Sequence, residues 1–173
     1  MTASRTDLFA RLDGLDIAHT THDHVPIFTV AEGDGLKDGM PGGHTKNLFL
    51  TDRKGRLFLV SAEASTRIQL KSLHRELDCG RLSFGKPDLL FETLGVQPGS
   101  VSAFALMNDP DRKVSFILDA ALLKHEIVNF HPLANDATTA VSAAGLIRFA
   151  QDTGHEPVIL DLGALAAADN AAQ

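Results

Sequence analysis

The chain has one cysteine, no tryptophan and no tyrosine. A lone Cys79 excludes an internal disulfide, and with it the stapled scaffolds of small secreted proteins. Ten phenylalanines carry all the aromatic character, so any base stacking would fall to Phe or His. No apolar run approaches the roughly 20 residues that a membrane span needs. The first residues, Met1–Asp7, lack the basic start and apolar stretch of a secretory signal. No run of lysine or arginine occurs, and the net charge is −6. That balance argues against coating a nucleic-acid backbone, although a few contacts with one end stay compatible with it. The expectation is a cytoplasmic protein with no membrane partner.

Several reaction signatures are missing as well. Gly85-Lys86 is followed by Pro87, which breaks the phosphate-loop pattern. There is no Gly-x-Ser-x-Gly elbow, and no dinucleotide-type glycine fingerprint follows a strand.

What is present suits one soluble domain: 173 residues, 44% apolar and 22% charged. Helices are expected over Thr6–Leu12, from a capping box at Thr29–Glu32, over Ser65–Leu77, from Pro87 to Leu94, and from the Ser142 cap to Gln151. Strands are expected at Ile17–His22, Thr45–Thr51, Arg56–Ser61, Arg81–Phe84, Val101–Leu106, Val114–Asp119, Glu126–Phe130 and Pro157–Leu162. The glycine-rich stretch from Gly33 to Gly43 reads as a long loop. Strands neighbour one another more than they alternate with helices, which favours α+β with a mixed sheet. Residues 1–163 form one domain on this reading, and the alanine-rich tail 164–173 frays.

The segment Gly43-His44-Thr45-Lys46-Asn47-Leu48-Phe49-Leu50 carries the most information. Alternation puts Lys46 in line with Leu48 and Leu50, and Asn47 with Phe49. An unpaired charge beside two leucines is costly to bury. Lys46 is therefore either an exposed strand end or a group held for chemistry.

Two other segments invite a site. Glycine and small residues in Gly95–Ala103 let backbone N–H groups turn inward, as an anion nest requires. In Asn129–Asn135, His131 is fixed at a strand end by Pro132. His22 and His24 share a strand face, but His19 points the other way and no third ligand is evident, so no metal is expected. Cys79 reads as a small apolar residue at a helix end.

These segments resemble, in order and spacing, the prolyl-tRNA editing family, the YbaK-like domains. The resemblance runs from about His22 to Leu162. It rests on Val25–Val30, His44–Phe49, Arg81–Phe84, Leu94–Val101, Leu106–Asp109 and Phe130–Leu133, and is nearest to the free-standing branch that clears alanine from mischarged proline tRNA. It implies an α+β fold with a mixed, curved central sheet and flanking helices. It implies hydrolysis of the ester at the tRNA 3′ end, with no metal or other cofactor. The implied partner is the 3′ acceptor end of tRNA(Pro), with prolyl-tRNA synthetase or another translation component bringing it. Lys46 matches the family's functional lysine, Asn47 the pocket residue beside it, and His131 a histidine near the substrate. Gly99 matches the glycine of a Gly-x-x-x-Pro loop, in which Ala103 here replaces the proline.

An aminoacyl ester is already reactive, so holding its carbonyl, admitting water and stabilising charge suffice. One oxyanion donor contributes roughly 3–4 kcal/mol, and the amides of Gly99, Ser100 and Val101 could supply it. Lys46 suits positioning more than base work. Val30, Phe49 and Ala103 are expected as pocket walls, with Val101 and Asn108 among the substrate contacts. The alternatives are a module that binds the tRNA end or a small ligand without turnover, and a metal hydrolase on His22 and His24.

Overall fold

The computed structural model describes residues 1–28, 35 and 39–171. The expected helix at Thr29 and the candidate Val30 lie outside the described residues. Helix α1 (Arg5–Gly14) starts on a capping box in which Ser4 and Asp7 bond each other's backbone. Strands β1 (His19–Asp23), β2 (Gly43–Thr51) and β3 (Leu57–Glu63) follow, then α2 (Leu70–Glu76) and the short β4 (Ser83–Phe84). Helix α3 (Pro87–Leu94) is punctuated as its sequence dictates, with proline in its first turn and Gly95 left-handed at φ 66°. After β5 (Val114–Asp119) come β6 (Ile127–Phe130), β7 (Ala137–Ser142), α4 (Ala143–Asp152), β8 (Val158–Leu160) and α5 (Leu162–Ala171).

Among the described residues, eight strands form a mixed sheet in the order β1-β7-β6-β2-β3-β5-β8, with β4 beside β2. The pairs β2–β6, β3–β5 and β5–β8 are parallel, and the others are antiparallel. This is the α+β class with a mixed sheet and flanking helices. One face buries the larger core, in which Phe104, Phe116, Phe130 and Phe149 are at most 1% exposed. On the other face α2 and α5 cover a smaller core around Leu50, Val60 and Ile117.

Three expectations change. Val101–Leu106 is not a strand; Ala103–Asn108 is a 3-10 turn, and the Ser102 hydroxyl caps it by accepting from Phe104 N–H at 3.2 Å. Strand β7 was not anticipated. The tail expected to fray is helix α5. Asp161 caps it through Ala164 N–H at 2.9 Å, Leu162 and Ala166 are buried, and Asp169 pairs with Arg75 of α2.

The β2–β3 hairpin turns on Asp52. Burial alone would raise its pKa. Bonds from the Arg56 and Gly80 N–H groups, the Arg56 guanidinium and Lys54 N–H outweigh that and hold it at about 2.

Candidate active site

Strand register decides which side chains share a surface, because laterally paired residues point to one face. His44 pairs with Asn129 across β2–β6, Asn129 with Ala140 across β6–β7, and His22 with Thr138 across β1–β7. Alternation along β2 adds Lys46, which pairs with Ala62 of β3. His44, Lys46, Asn129 and Thr138 therefore share one sheet face, and Val128, Phe130 and Phe49 point to the larger core on the other. His131 lies two residues past Asn129, just beyond the end of β6. Its ring meets that of His24 edge-on, with centroids 6.2 Å apart.

Lys46 is half-buried, and among the described residues its amine makes no hydrogen bond or ion pair. Burial pushes its pKa down, while the Asp119 carboxylate opposes the shift. Asp119 is itself fully buried and accepts N–H bonds from Glu63 (3.1 Å) and Ala121 (3.2 Å). A partly desolvated cation with no contact partner among the described residues suits an anion or a developing negative charge.

Asn47 points to the opposite face. Its Oδ1 accepts from Ser61 Oγ at 2.5 Å, and its Nδ2 donates to Thr45 Oγ1 at 3.4 Å. Thr45 Oγ1 in turn donates to the Asn129 carbonyl at 2.7 Å. Asn47 thus braces the start of β2 against β3 and β6.

His131 is fixed by its neighbour in β7. Nδ1 lies 2.9 Å from the Ala137 carbonyl oxygen, which can only accept, so Nδ1 carries the proton and Nε2 a lone pair. Burial holds its pKa below the ordinary histidine value; His24 adds to this, and the Ala137 bond and Asp136 work against it. A lowered folded-state pKa means the unfolded chain takes the proton first as pH falls. His131 therefore leaves stability intact above the unfolded value of about 6.5 and costs stability as pH drops from there through the folded value. The wild type should lose more stability between pH 7.5 and pH 5 than His131→Asn does. Parallel urea titrations at the two pH values check this, and equal losses would remove the proposed burial penalty.

The loop Gln97-Pro98-Gly99-Ser100 is a type II turn. Proline stands at its second position, Gly99 has φ 89° at the third, and Ser100 N–H donates to the Gln97 carbonyl at 3.0 Å. The Ser100 amide is therefore committed to the turn and cannot serve as an oxyanion donor. A Cβ on Gly99 would stand 3.3 Å from Phe28 Cδ1 and 3.6 Å from Asn135 Nδ2. Asn135 Nδ2 donates to the Ile27 carbonyl (2.9 Å), and Ile27 N–H donates to the Asn135 carbonyl (3.0 Å). The loop is thereby packed against the segment that follows His131. Gly99→Ala should destabilise by about 1–2 kcal/mol from the left-handed backbone alone. Gly99→Asn should cost less, and thermal unfolding of the two variants compares them.

The remaining candidates are spread more widely. Phe49 is 4% exposed with its ring against Gly85, and Ala103 is fully buried; both sit in the larger core, on the face away from Lys46. The departure from the family's loop proline therefore falls in the core. Val101 is partly buried against the same core. Asn108 spends both ends of its amide, accepting from Ala3 N–H (2.8 Å) and donating to the Leu94 carbonyl (2.9 Å). It ties the N-terminus to the end of α3. His24 also has both nitrogens engaged: Nδ1 donates to the Val25 carbonyl and Nε2 accepts from Thr138 Oγ1, each at 2.8 Å. His19 bonds Asp13 and stacks on Phe9, so the three histidines do not converge. Burial pushes the Cys79 thiol up in pKa, away from thiolate chemistry.

The model of the aminoacyl-tRNA editing domain matches residues 24–149. The chain belongs to the aminoacyl-tRNA editing domain family. It is 38% identical to prolyl-tRNA synthetase associated domain-containing protein 1 of Danio rerio, over 90% of this chain and 86% of that protein. It is 34% identical to the prolyl-tRNA editing protein ProX of Acetoanaerobium sticklandii, over 86% and 91%. The fold is shared with a crystal structure provisionally designated a trans-editing enzyme for prolyl tRNA synthetase, at TM-score 0.67, 18% identity and 92% and 98% coverage. No helix among the described residues of this editing domain is long and apolar enough to cross a membrane.

Sequence reasoning missed Asn129 in this editing domain. The signal was there: Ile127-Val128-Asn129-Phe130 places one polar residue inside an otherwise apolar strand. Its amide is 3% exposed, pairs laterally with His44 and leads along β6 to His131.

Proposed function

We propose that this editing domain is a trans-acting deacylase that hydrolyses the ester of mischarged tRNA(Pro), with alanyl-tRNA(Pro) as its main substrate. The observation that carries the reading is the half-buried Lys46 amine, which has no hydrogen bond or ion pair among the described residues, on the sheet face that also holds Asn129. The names of its relatives, which speak of prolyl-tRNA editing and of prolyl-tRNA synthetase, support the choice of tRNA.

On this reading the 3′ acceptor end of tRNA(Pro) enters at the start of β2. Lys46 neutralises the terminal phosphate or orients the ribose hydroxyls. The amides of Gly99 and Val101, which have no carbonyl partner among the described residues, stabilise the oxyanion as water attacks. The proton leaves with the ribose oxygen, so ester and water become free amino acid and tRNA. Discrimination against proline follows from exclusion, because a missing methylene changes binding by only about 1–3 kcal/mol. The net charge of −6 fits weak affinity for tRNA by itself, and prolyl-tRNA synthetase is the partner proposed to supply it.

A deacylation panel decides the matter. tRNA(Pro) carrying alanine, serine, threonine, cysteine or proline is incubated with the protein, and ester loss is followed. Alanine should be released fastest and proline spared. Saturable binding without product would make the domain a binding module, and equal release of proline would sink the exclusion argument.

A further inference from the structure

Asn129 presents a buried acceptor that the fold leaves unused. Its Nδ2 donates to two main-chain carbonyls, Pro41 and Gly43, each at 3.2 Å. Those carbonyls can only accept, so the amide cannot be flipped and Oδ1 must be the other end. That oxygen is buried and has no hydrogen-bond partner among the described residues. An unmade hydrogen bond on a buried amide costs about 1–3 kcal/mol. A fold that spends both donors of one side chain to aim its acceptor, and then leaves the acceptor empty, has the form of a recognition point.

Its position narrows the ligand. Asn129 shares its sheet face with His44 and Lys46, and its main-chain carbonyl is bonded to the start of β2 through Thr45. Lys46 and His131 are only half-buried, whereas Asn129 is 3% exposed. On the deacylase reading the phosphate and ribose of the ester stay toward solvent and the aminoacyl group goes deepest. The part of that group able to donate to a neutral amide oxygen is its α-amino group. An amide acceptor accepts from an amine or an ammonium and adds no charge beside Lys46.

We propose that Asn129 Oδ1 accepts a hydrogen bond from the α-amino group of the bound aminoacyl moiety and so registers the ester for attack. This rests on the deacylase reading of the same site. It makes Asn129 a substrate-positioning residue.

The test uses two amide-linked RNA minihelices bearing the tRNA(Pro) acceptor end, which the enzyme cannot turn over. One carries a 3′-alanylamido terminus and the other a 3′-propanamido terminus, which differs by the missing amine. The wild-type protein should bind the alanyl form roughly tenfold tighter, the factor that one hydrogen bond of ordinary strength gives. In Asn129→Ala, and in Asn129→Leu should the first variant fold poorly, the ratio should fall toward one. Because the ratio is taken within each protein, loss of folded material does not move it. Equal binding of the two minihelices by the wild type, binding of neither, or an unchanged ratio in the variants overturns the inference. The deacylation panel fails or succeeds separately, since an enzyme that clears alanine while ignoring the amine keeps the deacylase reading and loses this one.

Discussion

Lys46→Ala should lower kcat/KM for alanyl-tRNA(Pro) by roughly 10²–10³-fold, the loss expected when one preorganised electrostatic group is removed. The fold should survive. The amine makes no hydrogen bond or ion pair among the described residues, so its removal strands no partner among them. Lys46→Arg should keep part of the rate because the charge remains, and Lys46→Met should lose as much as alanine because only the length remains. Salt dependence separates two roles for the amine. If it meets a phosphate of the single-stranded end, the slope of log affinity against log salt should shrink by about 0.7 in Lys46→Ala. If it stabilises charge on the reacting carbonyl, the rate falls and the slope stays. Wild-type turnover by a folded Lys46→Ala protein would remove the amine from the chemistry altogether.

How much of this could be read in the residues depends on how strongly each signal was punctuated. Helix α3 was legible end to end because Pro87 and Gly95 act on the backbone directly. Strand β2 and the hairpin after it were legible because alternating apolar residues flank Asp52–Gly55. The stretch Ala103–Leu106 was not, because four consecutive buried residues fit a core strand as well as a core turn. Only the Ser102 cap distinguishes them. Strand β7 reads Ala-Thr-Thr-Ala-Val-Ser, which is too evenly small to show a period. The C-terminal alanines looked featureless, yet α5 buries Leu162, Ala166 and Asp169. At the site, Lys46 and His131 were found from their awkward surroundings. Asn129 was not, because its meaning comes from register: pairing with His44 across β2–β6 is a long-range fact that no local window contains.

Asp109→Ala should be strongly destabilising, by about 3–5 kcal/mol, because it strands the other half of a buried pair. Asp109 is 3% exposed and His155 4%, and His155 Nε2 lies 2.9 Å from Asp109 Oδ2. The carboxylate also accepts the N–H groups of Lys113 (3.0 Å) and Val114 (2.9 Å), which fixes the chain as it enters β5. On the far side, His155 Nδ1 bonds Thr153 Oγ1 at 2.8 Å, and that hydroxyl donates to the Ala150 carbonyl at 2.7 Å. One side chain thus joins the 3-10 turn, the start of β5 and the end of α4. This gives a structural reason for the Asn108-Asp109 pair: both residues anchor chain ends and neither needs to touch substrate. A domain of this size should show a fall in melting temperature of roughly 6–20 °C. Asp109→Asn keeps one acceptor oxygen and should fall less than Asp109→Ala. The rate per folded molecule should stay near wild type in both, the reverse of the Lys46 result. A loss under about 0.5 kcal/mol in a chemical-denaturation curve would show that the pair adds nothing to stability, and a collapse of turnover without unfolding would move Asp109 into the site.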